Sequence, residues 1–308
     1  MRGALIFLPF LVIACQPSPK ESATQNQTPE AKMIAASFNN GQNFNEYWNS
    51  SSQAEINSYS LSQESFGELH RGEVVLVFLP ETLSRSKQVR LENPEGTNVD
   101  KIQVMKSNMM RRFTTGLSDN SLMSSILTPI DFLKDPHSIK MTTSLQDWSG
   151  QVFHQLAWHS KSYDVSSISQ LGTNEDIDYS VTTTMLEDEL WNRIRIDPSS
   201  IETRSTTMLP SLAYLSMKHK PIRPVDAGII NSQIDERLSQ VEVVYPTIQR
   251  VLRIKYETKF PHKIVGWEEQ NGKEPLSRAT LKTTVMSPFW SENKVADRPL
   301  RDKLGLMF

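Results

Sequence analysis

Histidine and carboxylate side chains are the groups in this 308-residue chain best suited to metal binding or acid–base chemistry. Glu68 and His70 are two residues apart, so on a strand they share one face and could act as metal ligands. The glycines on either side of them favour a solvated hairpin instead. His154 and His159 flank Trp158, but on a strand they face opposite sides. These residues therefore predict no metal site and no cofactor.

Clustered carboxylates form a second group with possible chemistry. Asp131, Asp135 and His137 surround a proline, and we expect them to be solvated loop residues. Glu187-Asp188-Glu189 lies in the first turn of a predicted helix, where negative charge complements the helix dipole. Glu268-Glu269 are strand neighbours that face opposite sides, unlike the carboxylates of glycosidases, which face each other across a cleft. None of these clusters has catalytic spacing.

Three short stretches match the motifs of penicillin-recognising serine enzymes, and they occur in the same order: Ser84-Arg85-Ser86-Lys87, Ser118-Asp119-Asn120 and Lys282-Thr283-Thr284. That chemistry requires a serine nucleophile one helical turn before a lysine. Ser84 and Lys87, however, lie in a polar turn between predicted strands, and Thr284 occupies the position of a glycine. Because such short matches arise easily in a chain rich in Ser and Thr, we do not infer this activity.

The first fifteen residues carry the clearest signal. Met1-Arg2 gives a positively charged start, and residues 4–14 are almost wholly apolar. This run is shorter than the ~20 residues of a membrane-spanning helix, and it is typical of an export signal. Cys15 follows Val12-Ile13-Ala14, as in the bacterial lipobox, where the thiol receives a diacylglyceryl group and becomes the mature N-terminus. We predict that residues 1–14 are a lipoprotein signal peptide and that Cys15 is lipidated.

The rest of the composition fits an exported globular protein. Cys15 is the only cysteine, so the remaining chain can form no disulfide and offers no thiol nucleophile. The net charge of −2 and the absence of a basic block argue against a nucleic-acid partner. Residues 15–40, rich in Pro, Ser, Gln and Thr, predict a lipidated cysteine and a disordered tether. Residues 41–308 show no linker or internal repeat, which predicts a single β-rich periplasmic domain.

Short alternating or β-branched segments separated by turn residues dominate this predicted domain. The long helical crossovers that parallel strands require are missing from the pattern. We predict a mainly β fold: a large antiparallel meander sheet, either a half-barrel or a sandwich, with one or two short packed helices. The predicted strands are Gln53–Ser62, Glu73–Leu79, Gln88–Glu92, Lys101–Lys106, Met109–Thr115, Ser121–Thr128, Ser138–Thr143, Gln151–Trp158, Ile177–Thr183, Ile201–Met208, Ser211–Met217, Gln240–Tyr245, Gln249–Glu257, His262–Glu269 and Ser277–Met286.

One helix is predicted after residue 184. Thr184-Met185-Leu186-Glu187 has the pattern of a capping box, and Leu186, Leu190 and Ile194 follow at the spacing of one helix face. These three residues and Trp191 are the predicted lining of a ligand cavity, although core packing also accounts for apolar residues at this spacing.

A second, shorter helix is predicted near the C-terminus. Asp297 can cap it, Pro299 falls in its first turn and Gly305 can end it.

Several stretches of the chain contain scattered aromatic and turn residues. They are Glu46-Tyr47-Trp48-Asn49, Tyr59-Ser60-Leu61, Phe66-Gly67-Glu68, Gly72-Glu73, Leu190-Trp191-Asn192-Arg193-Ile194-Arg195, Pro210-Ser211-Leu212-Ala213-Tyr214-Leu215, Phe260-Pro261, Gly266-Trp267-Glu268-Glu269 and Leu300-Arg301-Asp302-Lys303-Leu304-Gly305-Leu306. They resemble a family of uncharacterised lipoproteins from Bacteroidota over nearly all of the predicted mature chain. The resemblance implies a lipoprotein and no catalytic role. Some relatives carry the label "septum formation inhibitor Maf", which implies a nucleotide pyrophosphatase with a Ser-x-Ser-Pro-Arg-Arg stretch. This chain has no such stretch, so that activity is not carried over.

The sequence thus predicts a lipid-anchored cell-envelope protein, held in the membrane by the lipid on Cys15. No acidic pair follows Cys15, and by analogy with lipoproteins of that phylum this favours an outer-membrane protein facing the periplasm over one displayed on the cell surface. The leading hypothesis is a non-enzymatic binding or assembly module for a lipid, a lipoprotein or an outer-membrane partner. The alternative is a periplasmic hydrolase that uses carboxylate and histidine groups such as Glu68, His70, Asp131, His137 and His154.

Overall fold

The computed structural model describes residues 44–48, 52–91, 100–170 and 177–307. The predicted signal peptide, Cys15 and the predicted tether lie outside these residues. Within them, the strands belong to one sheet of sixteen strands. The sheet is not closed, and it confirms the predicted mainly β fold.

The first half of the chain forms one antiparallel meander in which each strand hydrogen-bonds to the next. The short third strand is an exception, since it pairs only with the second and lies off the main path. The strands are β1 (Ala54–Ser65), β2 (Glu68–Ser84), β3 (Val89–Arg90), β4 (Lys101–Thr115), β5 (Ser118–Pro129), β6 (Lys140–Asp147), β7 (Gly150–His159), β8 (Ser162–Ser169) and β9 (Ile177–Thr182).

The second half forms another meander, which begins with one parallel pair. The strands are β10 (Met185–Leu186), β11 (Arg204–Leu209), β12 (Val225–Gln233), β13 (Leu238–Tyr245), β14 (Arg250–Glu257), β15 (Ile264–Asn271) and β16 (Ser277–Ser287). β10 runs parallel to β11, and all later pairs are antiparallel. The two meanders meet where β16 pairs with β1, so the last strand lies in the middle of the sheet.

Helices are few and short. Residues 44–48 form α1, and the others are α2 (Leu190–Ile196), α3 (Leu212–Met217) and α4 (Leu300–Lys303). Turns of 3-10 helix occupy Glu187–Glu189, Pro198–Ser200, Pro246–Ile248 and Val295–Asp297. In the described part of the chain, no helix has the length and apolar character needed to cross a membrane.

The sheet curls around α2. Its two edge strands, β9 and β10, are separated in the chain only by Thr183 and Thr184. Every residue of α2 is buried, and the helix contacts both β4 and β15, which lie four steps apart in the sheet. A flat sheet has one face on each side and cannot enclose a helix in this way. The concave face therefore holds α2, and α3 lies beside it against β5 and β6.

Strand alternation decides which side chains reach this interior. Along β13 and β14, every second residue is buried, as expected for a sheet with one face on the core and one on solvent. The central core cluster combines apolar residues of both meanders with α2, and a second cluster gathers apolar residues of β5 to β9 around α3.

The structure differs from the predicted elements at several points. The prediction that Ser211–Met217 is a strand is wrong, because residues 212–217 form α3. β8 and β12 were not predicted, since their serine, glycine and asparagine residues interrupt the apolar alternation. The predicted C-terminal helix is confirmed as a 3-10 turn followed by α4, with Gly305 in the left-handed region at φ +60°.

Candidate functional site

The segment 187–196 carries five charged residues into the interior of the sheet. It begins with the acidic triplet Glu187-Asp188-Glu189 and continues through α2. The predicted capping box does not form: Thr184 donates to the carbonyl of Thr207 instead, by a short hydrogen bond. The three carboxylates lie in a first helical turn as predicted, and each also has a specific partner that the sequence did not indicate.

Glu187 pairs with Arg250 of β14 in a buried charge network. The Arg250 guanidinium donates to Glu187 at 2.5 Å and to Glu269 at 3.1 Å. Arg111 of β4 lies 2.7 Å from the other carboxylate oxygen of Glu269. The guanidinium of Arg250 also lies 4.3 Å from the ring centroid of Tyr214, in a cation–π contact. The network joins β4, β14, β15, α3 and the 3-10 turn that precedes α2.

The charges of this network shift the pKa values of its members. Burial alone raises the pKa of Glu269, but Arg111 and Arg250 together lower it to about 2. Asp188 behaves in the opposite way, since burial and the neighbouring Glu187 raise its pKa to about 7. Asp188 accepts hydrogen bonds from the Ser211 hydroxyl at 2.9 Å and from the Leu212 backbone N–H at 3.0 Å. It thereby holds the first turn of α3.

Arg195 of α2 pairs with Glu55 of β1 at 2.5 Å, and neither side chain is exposed to solvent. The guanidinium lies 5.1 Å from each of the rings of Trp48 and Phe78. Asn57 donates to the second oxygen of Glu55 at 2.8 Å. The pair thus fixes the end of α2 to the first strand.

The remaining polar groups of α2 reach β4, β5 and the loop before β6. Arg193 donates to Glu189 at 2.7 Å, and Ser138 donates to the other oxygen of Glu189 at 2.7 Å. Asn192 donates to the Met105 carbonyl and to the Thr128 hydroxyl, both at 2.9 Å. Since these charged and polar groups bond one another, they brace the interior and resemble a structural network more than an open catalytic centre.

The apolar residues predicted to line a ligand cavity lie in the core. Leu186, Leu190, Trp191 and Ile194 are all buried and belong to the two core clusters. None of them lines either of the two surface grooves described below.

The structure separates the three penicillin-enzyme motifs. Ser84 ends β2 at one rim of the sheet, whereas Ser118 begins β5 at the opposite rim. The Lys282 ammonium donates to the carbonyl of Gly305 and lies 3.9 Å from Glu73. A shared active site of these residues does not form.

The residues expected for a hydrolase also have separate surroundings. His70 contacts the carbonyl of Ser65 at 3.0 Å, Asp131 accepts from the Lys134 backbone at 3.2 Å, and the His137 ring centroid lies 6.1 Å from that of Trp158. His154 is buried in β7, and burial lowers its pKa to about 4. No hydrogen bond or ion pair in the described residues joins two of these side chains or links them to Glu68.

A groove of about 500 Å³ lies on the outer surface of β7, β8 and the edge strand β9. Asp164 is its central polar residue. It accepts a hydrogen bond from Ser180 at 3.0 Å, and His159 Nδ1 lies 3.0 Å from its other oxygen. Asp178 and Tyr179 complete the β9 side. Serine and histidine both contact the aspartate here, so this is not the relay in which histidine contacts the serine nucleophile.

A second groove, of about 180 Å³, lies near the C-terminal end of β2 and includes Pro80, Arg90 and Trp290. No group of three or more His, Cys, Asp or Glu side chains among the described residues is arranged to hold a metal ion.

Sequence reasoning missed the partners of the buried charges. Glu55 and Arg250 each occupy a position that alternation assigns to apolar residues: Glu55 precedes Tyr59 and Leu61 on the inner face of β1, and Arg250 precedes Leu252 on β14. A charge in phase with buried residues was the available signal, but it could not identify the partner.

Comparisons of the chain with family models, curated proteins and solved structures find no match.

Proposed function

We propose that this chain is a lipid-anchored protein of the outer membrane, facing the periplasm, that acts as a non-enzymatic binding module for a protein partner. The export signal and Cys15 support the anchor. The interior of the sheet is occupied by α2, α3 and their ion pairs, which leaves the outer surface for recognition. The observation that carries the binding role is the edge of β9 beside the groove, which pairs with no further strand among the residues that the structure describes.

β9 pairs with β8 alone among the described residues, and five of its six residues are exposed. An unpaired strand edge presents backbone N–H and C=O groups that an extended segment of another chain can complete. Such backbone bonds supply affinity, while neighbouring pockets select side chains.

The groove beside this edge is acidic. Asp164 and Asp178 are both exposed and both line it, whereas His159 is its one basic side chain. An extended partner segment with a lysine or arginine side chain complements this charge. A lipoprotein or an outer-membrane protein is the class of partner we propose.

The anchor is tested by intact mass spectrometry of the protein isolated from membranes. We expect a chain that lacks residues 1–14 and carries a diacylglyceryl group on Cys15. A chain that retains Met1, or an unmodified Cys15 in the soluble fraction, would overturn the anchor.

The binding site is tested with a photo-crosslinking amino acid at Ser180, in the strand edge itself. We expect a discrete crosslinked product that the charge reversal Asp178→Lys abolishes. The matched control is Glu236→Lys in the turn between β12 and β13, which is also exposed and does not line the groove. Products that are absent, or that persist in Asp178→Lys, contradict this site.

A further inference from the structure

Three adjacent hairpins each place one large apolar residue at the tip of the turn. Phe66 joins β1 to β2, Leu117 joins β4 to β5, and Trp148 joins β6 to β7. These side chains are 89%, 84% and 68% exposed. Because these strands are consecutive in the sheet, the three tips lie side by side on one rim, which we call the apolar rim.

Phe66 occupies a backbone position that disfavours it. Its φ is +55° and that of Gly67 is +80°, as in the two-residue hairpin turn that prefers Asn-Gly or Asp-Gly. A bulky residue at positive φ is uncommon. The turn therefore keeps an exposed aromatic side chain where a small polar residue would fit the backbone better, and such exceptions cluster at functional positions.

The strand register displaces the three tips along the strands by an amount that the tilt of the strands can offset. Gly72 lies opposite Phe113, and Ser121 lies opposite Gln146. Counted from these pairs, each tip is displaced from the next by about two residues, roughly 7 Å, along the strands. Neighbouring tips are also two strand spacings, roughly 10 Å, apart. Strands inclined by ~35°, as in curled sheets, bring tips with this displacement into one plane.

The tips are held in place by their own hydrogen bonds. The Trp148 backbone N–H lies 3.4 Å from the Ser118 hydroxyl of the neighbouring hairpin. Asp147 accepts from the backbone of Ser149 at 2.6 Å, and Glu64 accepts from that of Gly67 at 3.0 Å. The apolar side chains are therefore presented by ordered turns.

We infer that the apolar rim inserts into the interfacial region of the lipid bilayer that holds the anchor. The inference rests on the proposed lipid anchor. Three separate side chains with polar residues between them form no continuous patch of the kind a protein interface needs. A bilayer interface accepts such side chains individually and favours aromatic ones.

The length of chain before the domain permits this orientation. The described chain enters β1 at the rim opposite the tips, and β1 has 12 residues, which span roughly 40 Å. Residues 16–43 separate Cys15 from α1. A chain of this length can reach at most roughly 90 Å. Cys15 and the apolar rim can therefore contact the same bilayer.

Acidic residues beside the tips indicate which headgroup charge the apolar rim favours. Glu68, Asp119 and Asp147 are neighbours of the three turns. They repel a surface of anionic lipids, so the rim suits zwitterionic headgroups.

The test uses the native acylated protein reconstituted into phosphatidylcholine vesicles whose acyl chains carry bromine, which quenches nearby tryptophans. Of the six tryptophans, only Trp148 and Trp290 are exposed, at 68% and 48%. Trp290 follows β16 at the opposite rim and serves as the matched control. We expect quenching that disappears in Trp148→Phe and persists in Trp290→Phe. Quenching that is absent, or that disappears only in Trp290→Phe, overturns the inference.

A second variant tests whether the tips insert together. Phe66→Ser with Leu117→Ser leaves Trp148 in place, and we expect its quenching to fall at least twofold. Anionic phosphatidylglycerol in the vesicles should also lower it at low ionic strength. Unchanged quenching in the double variant contradicts a shared insertion. Intact mass measured on each sample first separates failure of the anchor from failure of the rim, and an unchanged thermal midpoint shows that the variants are folded.

Discussion

Glu55 and Arg195 form an ion pair at 2.5 Å in which both side chains are completely buried, although 140 residues separate them in the chain. The pair joins the first strand of the sheet to the helix that the sheet encloses. Loss of one partner of such a buried pair destabilises the protein far more than replacement of both partners by apolar residues. The reason is that a single loss leaves an uncompensated charge in the core.

We expect Glu55→Ala to lower the free energy of unfolding by about 3–5 kcal/mol, since it leaves Arg195 without its counter-ion. The double variant Glu55→Leu/Arg195→Met should recover most of this loss. Urea denaturation of wild type, Glu55→Ala and the double variant measures both effects. The control is the exposed pair Glu202–Arg204, where Glu202→Ala should cost less than about 1 kcal/mol. Equal costs at the two sites would refute the role of burial.

Asp188 should make the protein less stable as the pH rises. Its pKa is about 7 in the folded protein against 3.8 for an ordinary aspartate, so between these values the folded state binds the proton that the unfolded state has released. This contribution to stability is complete below pH 4 and is lost as the pH approaches 7. Relative to wild type, Asp188→Asn should gain on the order of 3 kcal/mol between pH 4 and pH 7.5, less if the partial exposure of Asp188 reduces the shift. Asp226→Asn, at an exposed site, should show no such trend in urea denaturation.

His154 should act in the opposite direction. Burial lowers its pKa to about 4 from 6.5, so the unfolded state binds a proton that the folded state resists. Its stabilising contribution is complete above pH 6.5 and is lost as the pH falls towards 4. We expect His154→Gln to remove about 2–3 kcal/mol of this acid sensitivity. If His154→Gln and wild type lose the same stability between pH 7 and pH 4.5, the histidine is not the cause.

Two strand glycines should respond differently to alanine. A Cβ on Gly72 would lie 2.2 Å from the Arg112 carbonyl oxygen and 2.8 Å from the Phe113 Cβ, because β2 and β4 approach closely there. We expect Gly72→Ala to cost about 3 kcal/mol by overpacking. A Cβ on Gly228 would have no atom within 4 Å, so Gly228→Ala should stay within about 1 kcal/mol of wild type. Thermal and urea unfolding of the two variants distinguish them.

Much of the sheet could be predicted because alternation is a local property of the sequence. Gln249–Glu257 and Ser277–Met286 were predicted within one residue of β14 and β16 at each end. Residues 101–115 were predicted as two strands but form one, since a single long strand can carry polar residues where it faces solvent. The register and the pairing of β16 with β1 could not be predicted, because they depend on contacts between distant residues.

The helices show where local patterns fail. Ser211–Met217 has the residues of a strand, yet the Asp188 carboxylate binds its first turn and the surrounding core accepts α3 on several sides. Likewise, the apolar spacing of Leu190 and Ile194 correctly predicts a helix but not that every face of it is buried. The groove at β9 gave no signal in the sequence, since its lining comes from three different strands.

The junction of β16 with β1 has a consequence for biogenesis. Synthesis from the N-terminus delivers β1 first and β16 last among the strands, so β1 must wait for almost the whole polypeptide before its second neighbour arrives. Each meander has mostly neighbouring contacts and can form early, whereas this long-range pairing forms slowly. Until β16 arrives, β1 presents a bare hydrogen-bonding edge, and this is the stage at which a chaperone has the most to protect.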